Sequence, residues 1–218
     1  MAVEVKFCGL TRDGDTEVAA SLGAAYVGII FAESPRRVEP RQASSILAPA
    51  RGRARTVGVF GAASLETIAA VAAEASLDVV QLHGDPSPGI VERVRPFFGG
   101  EVWAVIRVAG AELPPESTAL LSVADAVVLD TRIVGQLGGS GKTFDWNRVA
   151  RALDRKRVRA RIVLAGGLNP QNVVRAVRTI APDVVDVSSG VESAPGIKDH
   201  ARMREFRDAV RRPGDGSE

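Results

Sequence analysis

Short β-branched runs alternate with helix-forming stretches along nearly the whole chain, at a spacing of about 25 residues. That alternation restricts the fold to strand–helix units built around a parallel sheet. The strands read "EVKFC" (4–8), "AYVGIIF" (25–31), "RTVGVF" (55–60), "DVVQLH" (78–83), "EVWAVIRV" (101–108), "AVVLD" (126–130), "RIVLAG" (161–166) and "VVDVSSG" (184–190). The stretches between them open mostly on Asp, Ser, Asn or Pro, as in "SLETIAAVAAEAS" and "NPQNVVRAVRTI". Those residues either cap the free N–H groups of a first helical turn or lack an N–H to satisfy. Eight such pairs predict an α/β protein made of a single (β/α)8 barrel over residues 1–210, with "RRPGDGSE" (211–218) as a flexible C-terminal tail. An open doubly wound sheet is the alternative, because one or two miscounted strands would admit it.

Charge and apolar content narrow the function. The 28 basic and 26 acidic residues leave a net charge of +2, too even to predict a nucleic-acid partner. Glu4 and Lys6 interrupt what would have to be an apolar signal core, and no run approaches the ~18 apolar residues of a membrane span. A lone cysteine cannot form an internal disulfide, which suits a cytoplasmic location. With one cysteine and two histidines far apart in sequence, no metal site is expected. No Gly-x-Gly-x-x-Gly dinucleotide fingerprint lies between a strand and a helix either.

A barrel of this kind gathers its chemistry at the C-terminal ends of the strands. There the sequence places Cys8, the loop "AESPRR", His83, Arg107, Asp130, and two glycine-rich turns, whereas the strand starts read as bland. Three glycine-rich turns follow the last three strands: "GGSGK" with Gly141 and Lys142, "AGGLNP" with Gly166 and Gly167, and "SSGVE" with Ser188, Ser189 and Gly190. Exposed backbone N–H groups and helix N-termini in those loops predict a phosphate site. The first turn is not a nucleotide-triphosphate loop, because the leading glycine of that motif falls on Gln136.

Asp130 closes the apolar run "ADAVVLD". Burial disfavours its charge, raises its pKa and makes it a proton donor near neutrality. Cys8, across the mouth, supplies a base or nucleophile if nearby cations lower its pKa. An acid and a base on opposite sides of one small molecule fit an isomerase. His83 reads equally as a structural or a catalytic imidazole. Arg36 or Arg37 offers a planar fork for a substrate carboxylate. His200 is expected on the surface of the last helix.

The segments "KFCGLTR", "GIIFAESPRRV", "VGVF", "VQLHGD", "LDT", "GGSGKTFDW", "AGGLNPQNV" and "DVSSGVESAPGIKD" occur in order across the chain. Together they resemble the phosphoribosylanthranilate isomerase family of tryptophan biosynthesis. The resemblance implies an Amadori rearrangement of N-(5-phosphoribosyl)anthranilate, with no cofactor, on a small phosphoribosyl substrate, by a monomer or homodimer. It makes Asp130 the general acid that opens the furanose ring and Cys8 the general base that takes the C2 proton. It also places Arg36 on the anthranilate carboxylate, Asp186 on its amine and His83 at the substrate. Gly141, Lys142, Gly166, Gly167, Ser188, Ser189 and Gly190 would surround the phosphate. One departure is visible: Gly61-Ala62 stand where the family commonly shows Val-Asn after "VGVF".

Overall fold

The computed structural model describes residues 2–109, 112–131, 144–154 and 159–211. Eight parallel strands pair in chain order and the eighth pairs with the first, which closes the barrel and rules out the open sheet. They are β1 (Glu4–Phe7), β2 (Tyr26–Ile30), β3 (Arg55–Phe60), β4 (Val79–Leu82), β5 (Glu101–Val108), β6 (Ala126–Thr131), β7 (Arg161–Leu164) and β8 (Val184–Val187). The helices are α1 (Asp13–Ser21), α2 (Pro40–Leu47), α3 (Leu65–Ala75), α4 (Pro88–Val94), α5 (Ser117–Val123), α6 (Trp146–Asp154), α7 (Val173–Ile180) and α8 (His200–Arg211). Among the described residues no helix is long and apolar enough to cross a membrane.

Helix starts follow local chemistry. Pro40 and Pro88 occupy first-turn positions, and the Ser64 hydroxyl accepts the Thr67 N–H at 3.2 Å to cap α3. Three expected boundaries move. The structure begins α7 at Val173 rather than Asn169, because Asn169 and Asn172 cap each other's backbone N–H groups and form a turn before the helix. The seventh and eighth strands stop at Leu164 and Val187, short of the expected 166 and 190, where the glycine turns leave the ladder.

Period-two alternation sorts the side chains. One set packs outward against the helices, as Phe7 does on Phe206 of α8, with ring centroids 6.3 Å apart. The other fills the barrel, where Tyr26, Val57, Val79, Trp103, Val128, Val163 and Val184 make a closed apolar plug. Such filling makes the interior a core and confines any open space to the ends.

The strand starts are not bland. Glu4, Arg55, Glu101 and Arg161 open the four odd-numbered strands and close the bottom of the barrel with ion pairs. Arg161 bonds Glu4 at 2.6 Å and the Tyr26 hydroxyl at 2.7 Å, Arg55 pairs with Glu101, and Glu101 accepts the Trp103 indole N–H at 2.8 Å. Alternate strands contribute to one layer in this architecture, which is why charges so distant in sequence meet. A short antiparallel hairpin, β9 (Glu192–Ala194) with β10 (Ile197–Lys198), was not expected from the sequence. His200 is not a plain surface residue: its imidazole bonds the buried Asp15 carboxylate at 2.8 Å and ties α8 to α1.

Candidate active site

At the C-terminal ends of the strands one cavity is bordered by Cys8, Arg36, His83, Asp130 and Asp186. Gly167, Ser188 and Ser189 rim it from the last two described loops. Cys8 extends β1 by one rung, its N–H donating to the Val187 carbonyl at 2.9 Å. Asp130 lies in register with Arg107 on β5 and is 6% exposed. The residues expected to carry chemistry thus share one wall-enclosed space, although they come from strands 122 residues apart, from Cys8 to Asp130.

The two loops after β7 and β8 are locked together. Gly166 has φ +83°, and a Cβ there would stand 2.8 Å from Asp130 Oδ1, so only glycine fits between that loop and the acid. A Cβ on Gly190 would run into the Leu168 carbonyl. Gly166 and Gly190 therefore serve the close approach of backbones, while Gly167, Ser188 and Ser189 border the space itself. Gly141 and Lys142 lie outside the described residues.

Burial sets the electrostatics. Desolvation pushes the Asp130 carboxyl up to about 6, against the Thr131 N–H that bonds Oδ1 at 2.8 Å. The His83 imidazole is held down at about 3, first by burial and then by Arg107 and Lys6, so it is neutral near neutral pH. Burial also raises the Cys8 thiol, and the nearby Lys6 cation only partly offsets it. The expected cation is present, yet it does not win.

Four side chains that touch the expected site residues or their partners escaped the sequence reading: Lys6, Gln81, Glu192 and Lys198. Lys6 is fully buried, and its ammonium donates to Asp186 Oδ2 at 2.6 Å and Gln81 Oε1 at 2.9 Å. Burial opposes its charge, but the Asp186 carboxylate and then Cys8 outweigh that and raise its pKa. Asp186 Oδ1 is buried at the cavity and has no hydrogen-bond partner among the described residues. Glu192 accepts Arg36 through Nε at 2.8 Å and Nη2 at 2.7 Å, and Lys198 at 2.8 Å. One edge of the Arg36 fork is thereby taken, and Arg37 pairs instead with Glu39 on the surface. Parity was the available signal: Lys6 and Gln81 lie two residues before Cys8 and His83 and so face the same way.

Comparison with known proteins agrees with this geometry. The family model described as N-(5'phosphoribosyl)anthranilate (PRA) isomerase matches residues 5–209. N-(5'-phosphoribosyl)anthranilate isomerase of Magnetococcus marinus is 41% identical, with 100% of this chain and 99% of that protein covered. The crystal structure of phosphoribosyl anthranilate isomerase from Thermotoga maritima superposes with a TM-score of 0.83 at 34% identity, covering 95% of this chain and 98% of that one. A further structure of the enzyme, in complex with reduced 1-(o-carboxyphenylamino)-1-deoxyribulose 5-phosphate, has a TM-score of 0.80 at 32% identity, with 95% and 98% covered. Sequence, barrel and cavity converge, and the chain belongs to the N-(5'-phosphoribosyl)anthranilate isomerase family.

Proposed function

We propose that this chain performs the isomerase step of tryptophan biosynthesis, the Amadori rearrangement of N-(5-phosphoribosyl)anthranilate to 1-(2-carboxyphenylamino)-1-deoxyribulose 5-phosphate, by general acid–base catalysis. The observation that carries the mechanism is that Cys8 and Asp130 border the same cavity. Asp130, raised to about 6, gives its proton to the furanose ring oxygen, the C1–O bond breaks, and the Schiff base forms. Cys8 takes the C2 proton onto sulfur, and the electron pair moves to neutralise the iminium nitrogen. The resulting enol form becomes the ketone.

Binding roles follow from charge. The Arg36 end that Glu192 leaves open grips the anthranilate carboxylate, and the unpartnered Asp186 Oδ1 accepts from the anthranilate amine. Gly167, Ser188 and Ser189 meet the phosphate, with Gly166 and Gly190 shaping their loops and Gly141 and Lys142 completing the cradle. The catalytic unit is the barrel, whose last helix runs on to Arg211 and not to 210, working as a monomer or homodimer; residues 212–218 of the expected tail lie outside the described residues. A cytoplasmic setting keeps its single thiol reduced.

The test is loss of fluorescence of freshly made phosphoribosylanthranilate on addition of the purified protein. Cys8→Ser and Asp130→Asn should each cut turnover by about several hundredfold, within the range such groups supply. Parent-level turnover in either variant would remove that residue's role.

A further inference from the structure

A line of polar side chains crosses the barrel from β1 through β4 to β6, and each of its links has a fixed direction. The Lys6 ammonium can only donate. It bonds Gln81 Oε1 at 2.9 Å, which commits that oxygen as an acceptor and turns the amide nitrogen toward His83. Gln81 Nε2, which can only donate, stands 3.3 Å from His83 Nδ1. Nδ1 must therefore accept. In a neutral imidazole the ring hydrogen is then on Nε2, and that atom faces Asp130 Oδ2 at 3.5 Å. The line reaches the barrel interior because Gly28 on β2 has no side chain: a Cβ there would lie 3.0 Å from Cys8 Sγ and 3.3 Å from Lys6 Cε.

The direction of the last link matters to the acid. A neutral imidazole with a bare Nε2 would accept a hydrogen bond from protonated Asp130 and compete with the substrate's ring oxygen for its proton. An imidazole with its hydrogen on Nε2 cannot accept there. We propose that Lys6 and Gln81 are positioning residues that fix His83 as a donor to Asp130, so that the acid's proton is left for the cavity. The charged groups around the ring agree with this assignment. Lys6 from β1 and Arg107 from β5, whose Nη2 donates to the His83 carbonyl at 2.8 Å, both oppose a charged imidazole, and Asp130 on β6 presents a carboxyl oxygen 3.5 Å from Nε2. The catalytic consequence rests on the acid role given above to Asp130, but the hydrogen's location does not.

Heteronuclear NMR of the imidazole nitrogens reads that location directly. The chain has two histidines, told apart with His200→Gln. At about pH 5, where an acid of pKa about 6 is mostly protonated, parent His83 should show a protonated Nε2 and a bare Nδ1. Gln81→Met keeps the shape of the side chain but offers no donor, so Nδ1 should gain the hydrogen while Nε2 accepts from Asp130. Gln81→Glu, which accepts from both neighbours, should protonate Nδ1 at about pH 7 as well. In a fluorescence assay Gln81→Met should lower kcat by at least about tenfold, a part of what a general acid supplies, with KM little changed. A protonated Nδ1 in the parent, or an unchanged bare Nδ1 in Gln81→Met, would overturn the assignment. Correct tautomers in all three proteins with parent-level kcat in Gln81→Met would instead refute the positioning consequence and leave the acid role of Asp130 to the Asp130→Asn measurement.

Discussion

Removing the Lys6 cation while keeping its bulk, as Lys6→Met, should destabilise the barrel more than any surface substitution. Lys6 is fully buried and Asp186 is 8% exposed. The 2.6 Å bond between them supplies the only hydrogen bond that Asp186 side-chain oxygens make among the described residues, since Oδ1 has none. Breaking one partner of a buried pair leaves an uncompensated charge and costs about 3–5 kcal/mol. Gln81 Oε1 loses its donor as well. For a chain of this length that range corresponds to a drop in Tm of about 6–20 °C, readable by calorimetry or thermal circular dichroism. Replacing both partners, as Lys6→Met with Asp186→Leu, removes the stranded carboxylate and should recover most of the loss. The reasoning fails if Lys6→Met melts within about 2 °C of the parent, a change worth no more than ~1 kcal/mol, or if the double variant melts no higher than the single one.

Further outcomes follow from the same electrostatics. Turnover should rise as pH passes about 6, where Asp130 releases its proton in the free protein, and fall again above the raised thiol value; Asp130→Asn should erase the lower limb of the kcat/KM profile. The folded protein holds that proton more tightly than the unfolded chain, whose carboxyl titrates near 3.8. Stability is therefore lost as pH rises from about 4 to about 6, and Asp130→Asn should be more stable than the parent by about 3 kcal/mol at neutral pH, but not at about pH 4. Arg36→Ala should chiefly raise KM, and Glu192→Gln, which weakens the grip on Arg36 without removing it, should raise KM less; equal KM values in all three proteins would free both residues of a binding role. Arg161→Met at the barrel bottom should cost under about 1 kcal/mol, because both Arg161 and Glu4 are more than a third exposed. A loss of several kcal/mol on denaturant titration would contradict that view of the ring.

The eight strand–helix units were legible because buried parallel strands are short β-branched runs and the intervening helices announce their first turns. Closure was legible only as a count, since the β1–β8 pairing joins residues about 180 positions apart. Cys8 and Asp130 could be found because an apolar strand ending on a reactive group has one place to put it in a barrel. Lys6 was missed for the opposite reason: a charge inside a strand reads as solvent-facing until the sheet curls shut around it. Glu192 lies in "GVESAPGIKD", an irregular hairpin with no period to say which side chain turns inward. The odd-strand charges looked bland one at a time and became a ring only through the stagger of the barrel.

Burial that prepares the acid also restrains the base. The same closed mouth that lifts Asp130 to about 6 raises the Cys8 thiol above its ordinary value, so at neutral pH the pair rests as carboxylate and thiol. Catalysis needs the other distribution of the same single proton, neutral acid and thiolate, which is why both limbs of a pH profile count protons on the pair rather than on either residue. Each turnover moves a proton onto sulfur and takes one from Asp130, returning the pair to its resting state. The polar line beneath the cavity cannot carry the proton back, because the Gln81 amide relays hydrogen-bond direction without exchanging a proton at neutral pH. The return from Cys8 to Asp130 must run through the cavity itself, by water or by exchangeable groups of the ligand, and the Lys6 cation, by favouring the thiolate, lowers the cost of starting it.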